Sequence, residues 1–358
     1  LEAPQSRHIS QEEYQQGWRL SCCSKVMGDV TVMVPDIASA YQSRMKTADL
    51  SSPQEVAIFE ACQNQLRESG IHFENSYRRA LLTLEAPTLD DTMPDNERLT
   101  RAIQESLGAA QVAIPFPVMV KLAHTLRENN WNVCVKGELT GNTFRCMEIT
   151  APTDTALVGC AIDIGTTTVT MVLMDLETGK ILAKGSSGNG QIRYGADVIN
   201  RIIEQGKPGG VKRLQDAILK ETLLPLVAAM CKSAGVPVSR VFRVCIASNT
   251  TMNHLLLGVD ANPVRMEPYI PTFFQWRGMT AKDLDFPANP DAEILLAPNI
   301  GSYVGGDITA GAFTSLIWDK DEFSLFIDLG TNGELVFGNR DFMMSCACSA
   351  GPAFEGGD

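Results

Sequence analysis

Two short apolar strands in this chain each carry one carboxylate, followed at once by a turn rich in hydroxyl and glycine residues. In Ala161–Asp175, AIDIGTTTVTMVLMD, Asp163 lies among Ala161, Ile162 and Ile164, and Gly165, Thr166, Thr167 and Thr168 follow. An unpaired carboxylate in such a strand is costly and calls for a metal, a water or a donor. Glycine lets the backbone turn close to a ligand, and hydroxyls beside backbone N–H groups suit an anion. The pattern returns in Phe326–Asp341, FIDLGTNGELVFGNRD, with Asp328, Gly330, Thr331, Asn332 and Gly333 in the same order. Asp163 thus matches Asp328, Gly165 matches Gly330, and Thr166 matches Thr331. Both turns join two strands and open no helix, so neither is a Walker loop. Self-similarity at this separation predicts two related subdomains facing one cleft and gripping one polyphosphate. A third acid, Asp307 in GSYVGGDITAG, falls in the first turn of a predicted helix. The helix dipole favours an acid there in any case. Between glycines and beside the predicted cleft, it is equally placed to hold a metal-bound water or act as a general base.

The elements that position these groups read as follows. Glu12 to Trp18 suggests one or two helical turns, and Val26 to Pro35 alternates as a strand ending on proline. Residues 36–60 read as a polar linker, although apolar positions recur at helical spacing from Val56 to Arg67. A small α+β unit over 61–157 follows: a strand in SYRRALLTLEAP, a helix capped by Asp95 or Asn96 with Leu99, Ile103 and Leu107 inward, a helix over Pro117–Asn129, and strands WNVCVKGEL and FRCMEIT. From 158 onward the first hairpin leads to a helix starting at Tyr194–Asp197 and one long amphipathic helix over Val211–Gly235. A buried strand, VFRVCIAS, then ends on Ser248–Asn249, where Asn249 is placed to cap a helix or touch a ligand. The glycines of GSSGNGQIRYG do not follow the strand–turn–helix fingerprint of a dinucleotide site.

Length and composition exclude several classes. A chain of 358 residues holds two or three domains. Its net charge of -12 argues against nucleic-acid binding. No apolar run is long enough to span a membrane, and no signal peptide is recognisable. Ten scattered cysteines in an acidic chain fit a reducing cytoplasm. The start at Leu1 and the stop at Gly356–Gly357–Asp358, within an apparent loop, read as a fragment. On composition alone Cys22 and Cys23 are ordinary thiols, because adjacent side chains diverge.

In order along the chain, GWRLSCCSKVMGDVTVMVP, AIDIGTTTV, QIRYGADVINRI, SNTTMNHLLLG, GSYVGGDITAG, FIDLGTNGELVFGN and CSAGPAFEGG resemble the reductive activators of corrinoid proteins. The paired hairpins are similar to the phosphate-binding elements of the wider ATPase superfamily of acetate and sugar kinases, heat-shock chaperone ATPases and actin. The resemblance implies an α/β fold: a duplicated actin-like, ribonuclease-H-like ATPase domain, incomplete at its carboxyl end, over 158–358. It implies a middle α+β domain over 61–157, a linker over 36–60, and over 1–35 the carboxyl-terminal remnant of a [2Fe-2S] ferredoxin domain. Cys22 matches the fourth cluster ligand, the other three lying upstream of Leu1, while Cys23 stands where the family more often has another residue. The adenosine-binding segment is expected beyond the chain end.

The activity so implied is ATP-dependent return of an inactive Co(II) corrinoid to Co(I), with the iron–sulfur cluster as electron carrier. Mg-ATP would be gripped by Gly165, Thr166, Thr167, Thr168, Gly330, Thr331, Asn332 and Gly333, with Asp163 and Asp328 holding magnesium through water and Asp307 as a further catalytic acid. The implied partners are a corrinoid protein or corrinoid-dependent methyltransferase and an upstream low-potential electron donor, with neither nucleic acid nor membrane; a homodimer is left open. Two other classes use the same cleft: a small-molecule kinase, with Asp307 as its acid, and a nucleotide-gated binding module that hydrolyses nothing.

Overall fold

A computed structural model of the chain describes residues 11–19, 27–28, 30–31, 53–73, 75–330 and 332–349. The chain divides into two units, Leu1–Ile37 and Ala38–Asp358. In the first, Gln11–Gln15 is helical, and the Arg19 guanidinium lies 3.7 Å from the centre of the Tyr14 ring. Of the strand expected over Val26–Pro35 only residues 27–28 and 30–31 are described, and these are not in a strand, while Cys22 and Cys23 lie outside the described residues.

The second unit holds three sheets. Its opening helix runs Pro53–Glu68 and so begins before the boundary expected at residue 60. The first sheet has the order β1-β3-β4-β2, from β1 (Tyr77–Thr83), β2 (Gln111–Ala113), β3 (Asn132–Thr140) and β4 (Thr143–Thr150). Helices Asp95–Leu107 and Phe116–Glu128 bury Leu99, Ile103, Leu122 and Leu126 against Val133, Val135 and Phe144. Pro94 occupies the cap position of the first of these helices, because Asp95 is already helical and turns its carboxylate to Arg127, 2.6 Å away. The three-residue β2 carries too few alternations to be read from sequence.

The second sheet, order β7-β6-β5-β8-β10-β9, carries the first hairpin. Its strands are β5 (Val158–Ile164), β6 (Thr168–Asp175), β7 (Ile181–Gly188), β8 (Val241–Ser248), β9 (Met279–Thr280) and β10 (Glu293–Leu296). The strands β5, β7, β8 and β10 run in one direction, whereas β6 and β9 run antiparallel to them. This mixed order is the ribonuclease-H-like half of an actin-like ATPase fold, and it sets the carboxyl ends of β5 and β8 side by side, where open α/β sheets bind ligands. Period-two alternation buries Val158, Cys160, Ile162 and Ile164 on one face of β5.

The long helix expected over Val211–Gly235 is in fact three pieces: an α-helix Gly210–Ile218, a π-helical turn Leu219–Leu223 and an α-helix Leu224–Ala234. Pro225 has no N–H to continue the ladder. The buried Thr222 hydroxyl donates instead to the Ala217 carbonyl at 2.8 Å and accepts from the Gly190 N–H at 3.0 Å.

Ion pairs join the first sheet to the second. Arg79 of β1 meets Asp175 at 2.8 Å and Glu177 at 2.7 Å. The fully buried Lys136 meets Asp154 at 2.9 Å, and Arg240 meets the same carboxylate at 2.6 Å. The third sheet is the meander β11 (Ser324–Leu329), β12 (Asn332–Gly338) and β13 (Met343–Ser349). It joins the helix Gly306–Thr314 through a small core of Val304, Ile308, Ile317 and Val336, with Ala312 and Phe326 packed against it. Among the described residues no helix is long and apolar enough to cross a membrane.

Candidate functional site

Three of the acids singled out by sequence converge. Asp163 stands next to the carboxyl end of β5, opposite Thr170 of β6 and Ala247 of β8. It lies on the face away from Ile162 and Ile164 and is open to solvent, so it lines a cleft wall and is not enclosed in the strand's core. Asp307 opens the helix Gly306–Thr314, and its Oδ1 accepts from the Ile308 N–H at 2.8 Å. Asp328 lies in β11. Partial burial, with Asp307 and Asp328 as neighbouring charges, raises the Asp163 carboxyl to about 6. Burial and the Asp328 charge raise Asp307 to about 6 against the helix N–H bond that lowers it. Such shifts mark carboxylates held together without compensating cations.

A fourth acid was missed. Glu334 of β12 sits directly across the ladder from Asp328. Burial, then Asp307 and Asp328, push it to about 7. The signal was in the hairpin itself: Asp328 and Glu334 fall on facing positions of a tight turn, and like charges facing each other in an antiparallel pair are unfavourable.

Glycines bring these acids within range. A Cβ on Gly305 would lie 2.3 Å from the Asn249 Cα, and one on Gly306 would lie 2.6 Å from the Ala297 carbonyl oxygen. The helix that begins with Asp307 can therefore press against the ends of β8 and β10 only without side chains at these two positions. The Asn299 Oδ1 accepts from the Gly306 N–H at 2.9 Å and from the Asn253 Nδ2 at 3.0 Å, which fixes that helix start to the one after β8. At Gly311 the Phe326 ring occupies the place of a Cβ, at 2.3 Å, so β11 lies flat on the same helix.

The first turn is as tight as expected. The Gly165 N–H donates to the Thr168 carbonyl at 2.9 Å, and a Cβ on Gly165 would lie 2.7 Å from that oxygen. Gly165, Thr166 and Thr167 form the turn and Thr168 already belongs to β6. Asn249 takes the capping role, its Oδ1 accepting from the Met252 N–H at 2.9 Å, while its Nδ2 donates to the Thr166 hydroxyl at 3.2 Å and so ties the turn to the helix after β8. In the second hairpin the Gly330 N–H donates to the Asn332 carbonyl at 2.9 Å, and Asn332 and Gly333 begin β12 and are not turn residues. Gly330 is under no matching steric constraint, the nearest atom to its Cβ position being 3.8 Å away. Thr331, like Cys22, lies outside the described residues.

The acids suit a hydrated cation. Among the described residues no three His, Cys, Asp or Glu side chains stand close enough to hold a metal directly. Magnesium usually keeps several waters and takes few direct protein ligands, so carboxylates spaced this way fit it through those waters. A negative cluster beside hydroxyls and a tight glycine turn has the chemistry to hold a cation together with phosphates. The described cysteines do not make a cluster site.

Comparison with known proteins identifies the family. The RACo linker region matches residues 67–149, the RACo middle region 158–319, and the C-terminal domain of RACo, the ASKHA domain, 322–358. The chain is 35% identical over 201 residues to the corrinoid activation enzyme RamQ of Eubacterium limosum, covering 56% of this chain and 33% of that protein. It is 25% identical over 212 residues to a [Co(II) methylated amine-specific corrinoid protein] reductase of Methanosarcina barkeri, covering 56% of this chain and 37% of that one. A solved reductive activator for a corrinoid, iron-sulfur protein aligns with a TM-score of 0.67 at 33% identity, over 99% of this chain and 56% of the other. The chain thus spans roughly a third of each of the first two and just over half of the third. With RACo linker, middle and C-terminal regions matched one after another along it, the chain belongs to the RACo family of reductive activators of corrinoid proteins.

Proposed function

We propose that this chain supplies the nucleotide-driven part of a corrinoid activator, binding Mg-ATP between the Gly165–Thr168 turn and the β11–β12 hairpin. The observation that carries this reading is the convergence of Asp163, Asp307, Asp328 and Glu334 where the carboxyl end of β5 faces the second hairpin. Bound there, magnesium would supply charge neutralisation for the phosphates, held through water by Asp163 and Asp328. Thr166, Thr167 and Asn332 would hold the phosphates, and Asp307 would act as a further catalytic acid.

The partner is a corrinoid protein or methyltransferase whose cobalt is the substrate: one electron converts Co(II) to Co(I). Co(I) lies at very low potential, and each 60 mV of uphill transfer costs about 1.4 kcal/mol for one electron. Nucleotide can meet that cost only by binding one conformation more tightly than another. Two hairpins that must approach to share one ligand provide such a difference. A [2Fe-2S] carrier with Cys22 as a ligand and an upstream low-potential donor remain part of the reading through the family resemblance, not through any described side chain.

The test is ATP hydrolysis and corrinoid reduction in the native-length protein, with the cobalt state followed by absorbance. The expected result is Co(I) formation that requires hydrolysable ATP and magnesium. Transfer of the labelled γ-phosphate to a metabolite would establish a kinase instead, and reduction at full rate without nucleotide would overturn the proposal.

A further inference from the structure

Behind the Gly165–Thr168 turn, away from the cleft, lies Arg201 of the helix Val198–Gln205, the bulkiest fully buried side chain among the described residues. Its Nη2 donates to the Thr166 carbonyl at 2.5 Å and its Nε to the Gly195 carbonyl at 2.8 Å, while Nη1 rests 3.3 Å from the Met252 sulfur. Asn189, equally enclosed, takes the flanking carbonyls: its Nδ2 donates to Gly165 O at 2.9 Å and its backbone N–H to Thr167 O at 2.7 Å. All three carbonyls of the turn are thus drawn inward by two residues.

In a planar trans peptide the carbonyl and the following N–H point in opposite directions. Drawing the carbonyls of Gly165, Thr166 and Thr167 into the core therefore turns the N–H groups of Thr166, Thr167 and Thr168 the other way, toward the cleft. Burying a guanidinium costs several kcal/mol before its hydrogen bonds are counted. A residue needed only to fill this space would be apolar. A planar fork of fixed donors, by contrast, bridges two carbonyls from segments about thirty residues apart, which an ammonium cannot do.

We propose that Arg201 is the positioning residue of the first phosphate turn, holding its peptide planes from inside the core so that their N–H groups meet the polyphosphate. This rests on the Mg-ATP reading of the cleft. Binding of a non-hydrolysable ATP analogue and of adenosine is measured by calorimetry in native-length protein, for wild type, Arg201→Met and Arg201→Lys. Loss of the charge-assisted hydrogen bond to the Thr166 carbonyl, together with the one that anchors the guanidinium to Gly195, predicts roughly a tenfold or greater loss of triphosphate affinity in Arg201→Met, with adenosine affinity unchanged and Arg201→Lys in between. A space-filling role would move the melting temperature and leave the ratio of the two affinities alone. Wild-type protein that binds no triphosphate would defeat the cleft reading itself. Wild-type binding with an unaltered ratio in the variants would defeat only the role of Arg201. If Arg201→Met does not fold, Arg201→Lys decides, together with hydrogen exchange in unaltered protein. Exchange across Gly195–Arg201 should slow when the analogue binds, and exchange indifferent to bound analogue would overturn the proposal.

Discussion

Replacing Asp307 by asparagine should make the protein more stable and less active, and the gain should depend on pH. Its carboxyl is raised from the ordinary 3.8 to about 6 by burial and by Asp328. A raised acid is protonated in the fold at a pH where it is ionised in the unfolded chain, so the native state holds the extra proton. Stability attributable to this group is therefore lost as pH rises from about 4 toward the folded value, and the loss is complete above it. Two pKa units correspond to about 3 kcal/mol. Water in the half-open cleft screens the charge, and we take about 1–2 kcal/mol as the working figure. Asparagine keeps the acceptor for the Ile308 N–H and removes the charge. Thermal unfolding without magnesium should show Asp307→Asn melting about 3–6 °C above wild type at pH 8, with the gap closing near pH 4. ATP hydrolysis by the same variant should fall steeply. A variant no more stable than wild type at pH 8, or a gap that persists at pH 4, would show that the acids do not load the cleft as argued.

Asp163→Asn and Asp328→Asn should each lower ATP hydrolysis about 100-fold or more with the fold intact, because each removes a carboxylate at the metal–phosphate site; wild-type turnover in both would assign these acids to turn-capping alone. Of the two matched glycines, Gly165→Ala should cost about 1–3 kcal/mol in chemical denaturation, since its Cβ would meet the Thr168 carbonyl at 2.7 Å, whereas Gly330→Ala should stay within about 0.5 kcal/mol. Equal costs would contradict the asymmetry of the turns. Cys22→Ser in native-length protein should lose the iron–sulfur absorbance and corrinoid reduction while ATP binding survives, with Cys23→Ser milder; the reverse order would shift the ligand by one residue.

What sequence could reveal here followed the range of each interaction. Asp163 with Gly165 and Asp328 with Gly330 were visible because strand alternation and turn chemistry are local. The sheet around Asp163 was legible for the same reason. Glu334 escaped because its meaning depends on register across the hairpin, and Arg201 because a long charged residue on an amphipathic helix reads as solvated until the helix is docked. Asn249 left two roles open, and only the approach of β5 to β8 shows that its amide caps the helix with one atom and holds the Thr166 hydroxyl with the other. The break at Leu219–Leu223 follows from Pro225, but whether proline kinks, ends or widens a helix depends on partners such as Thr222, which are distant in sequence. Pro94 displaced Asp95 from the cap position because Arg127, on another helix, claims that carboxylate.

The small core under the third sheet has a mechanical consequence. Val304, Ile308, Ile317 and Val336 are few beside the residues enclosed under the second sheet, so this contact is the compliant joint of the cleft. Asp328 and Glu334 ride on one side of it, and Asp163 faces them from the other. Like charges on the two sides of this contact repel one another and so load it. Under the Mg-ATP reading proposed above, a cation that cancels those charges would remove the load, and closure would be driven by release of repulsion as much as by new contacts. The force available is set by the number of acids across the gap, and the stiffness by four apolar side chains, so the two can be tuned separately by mutation.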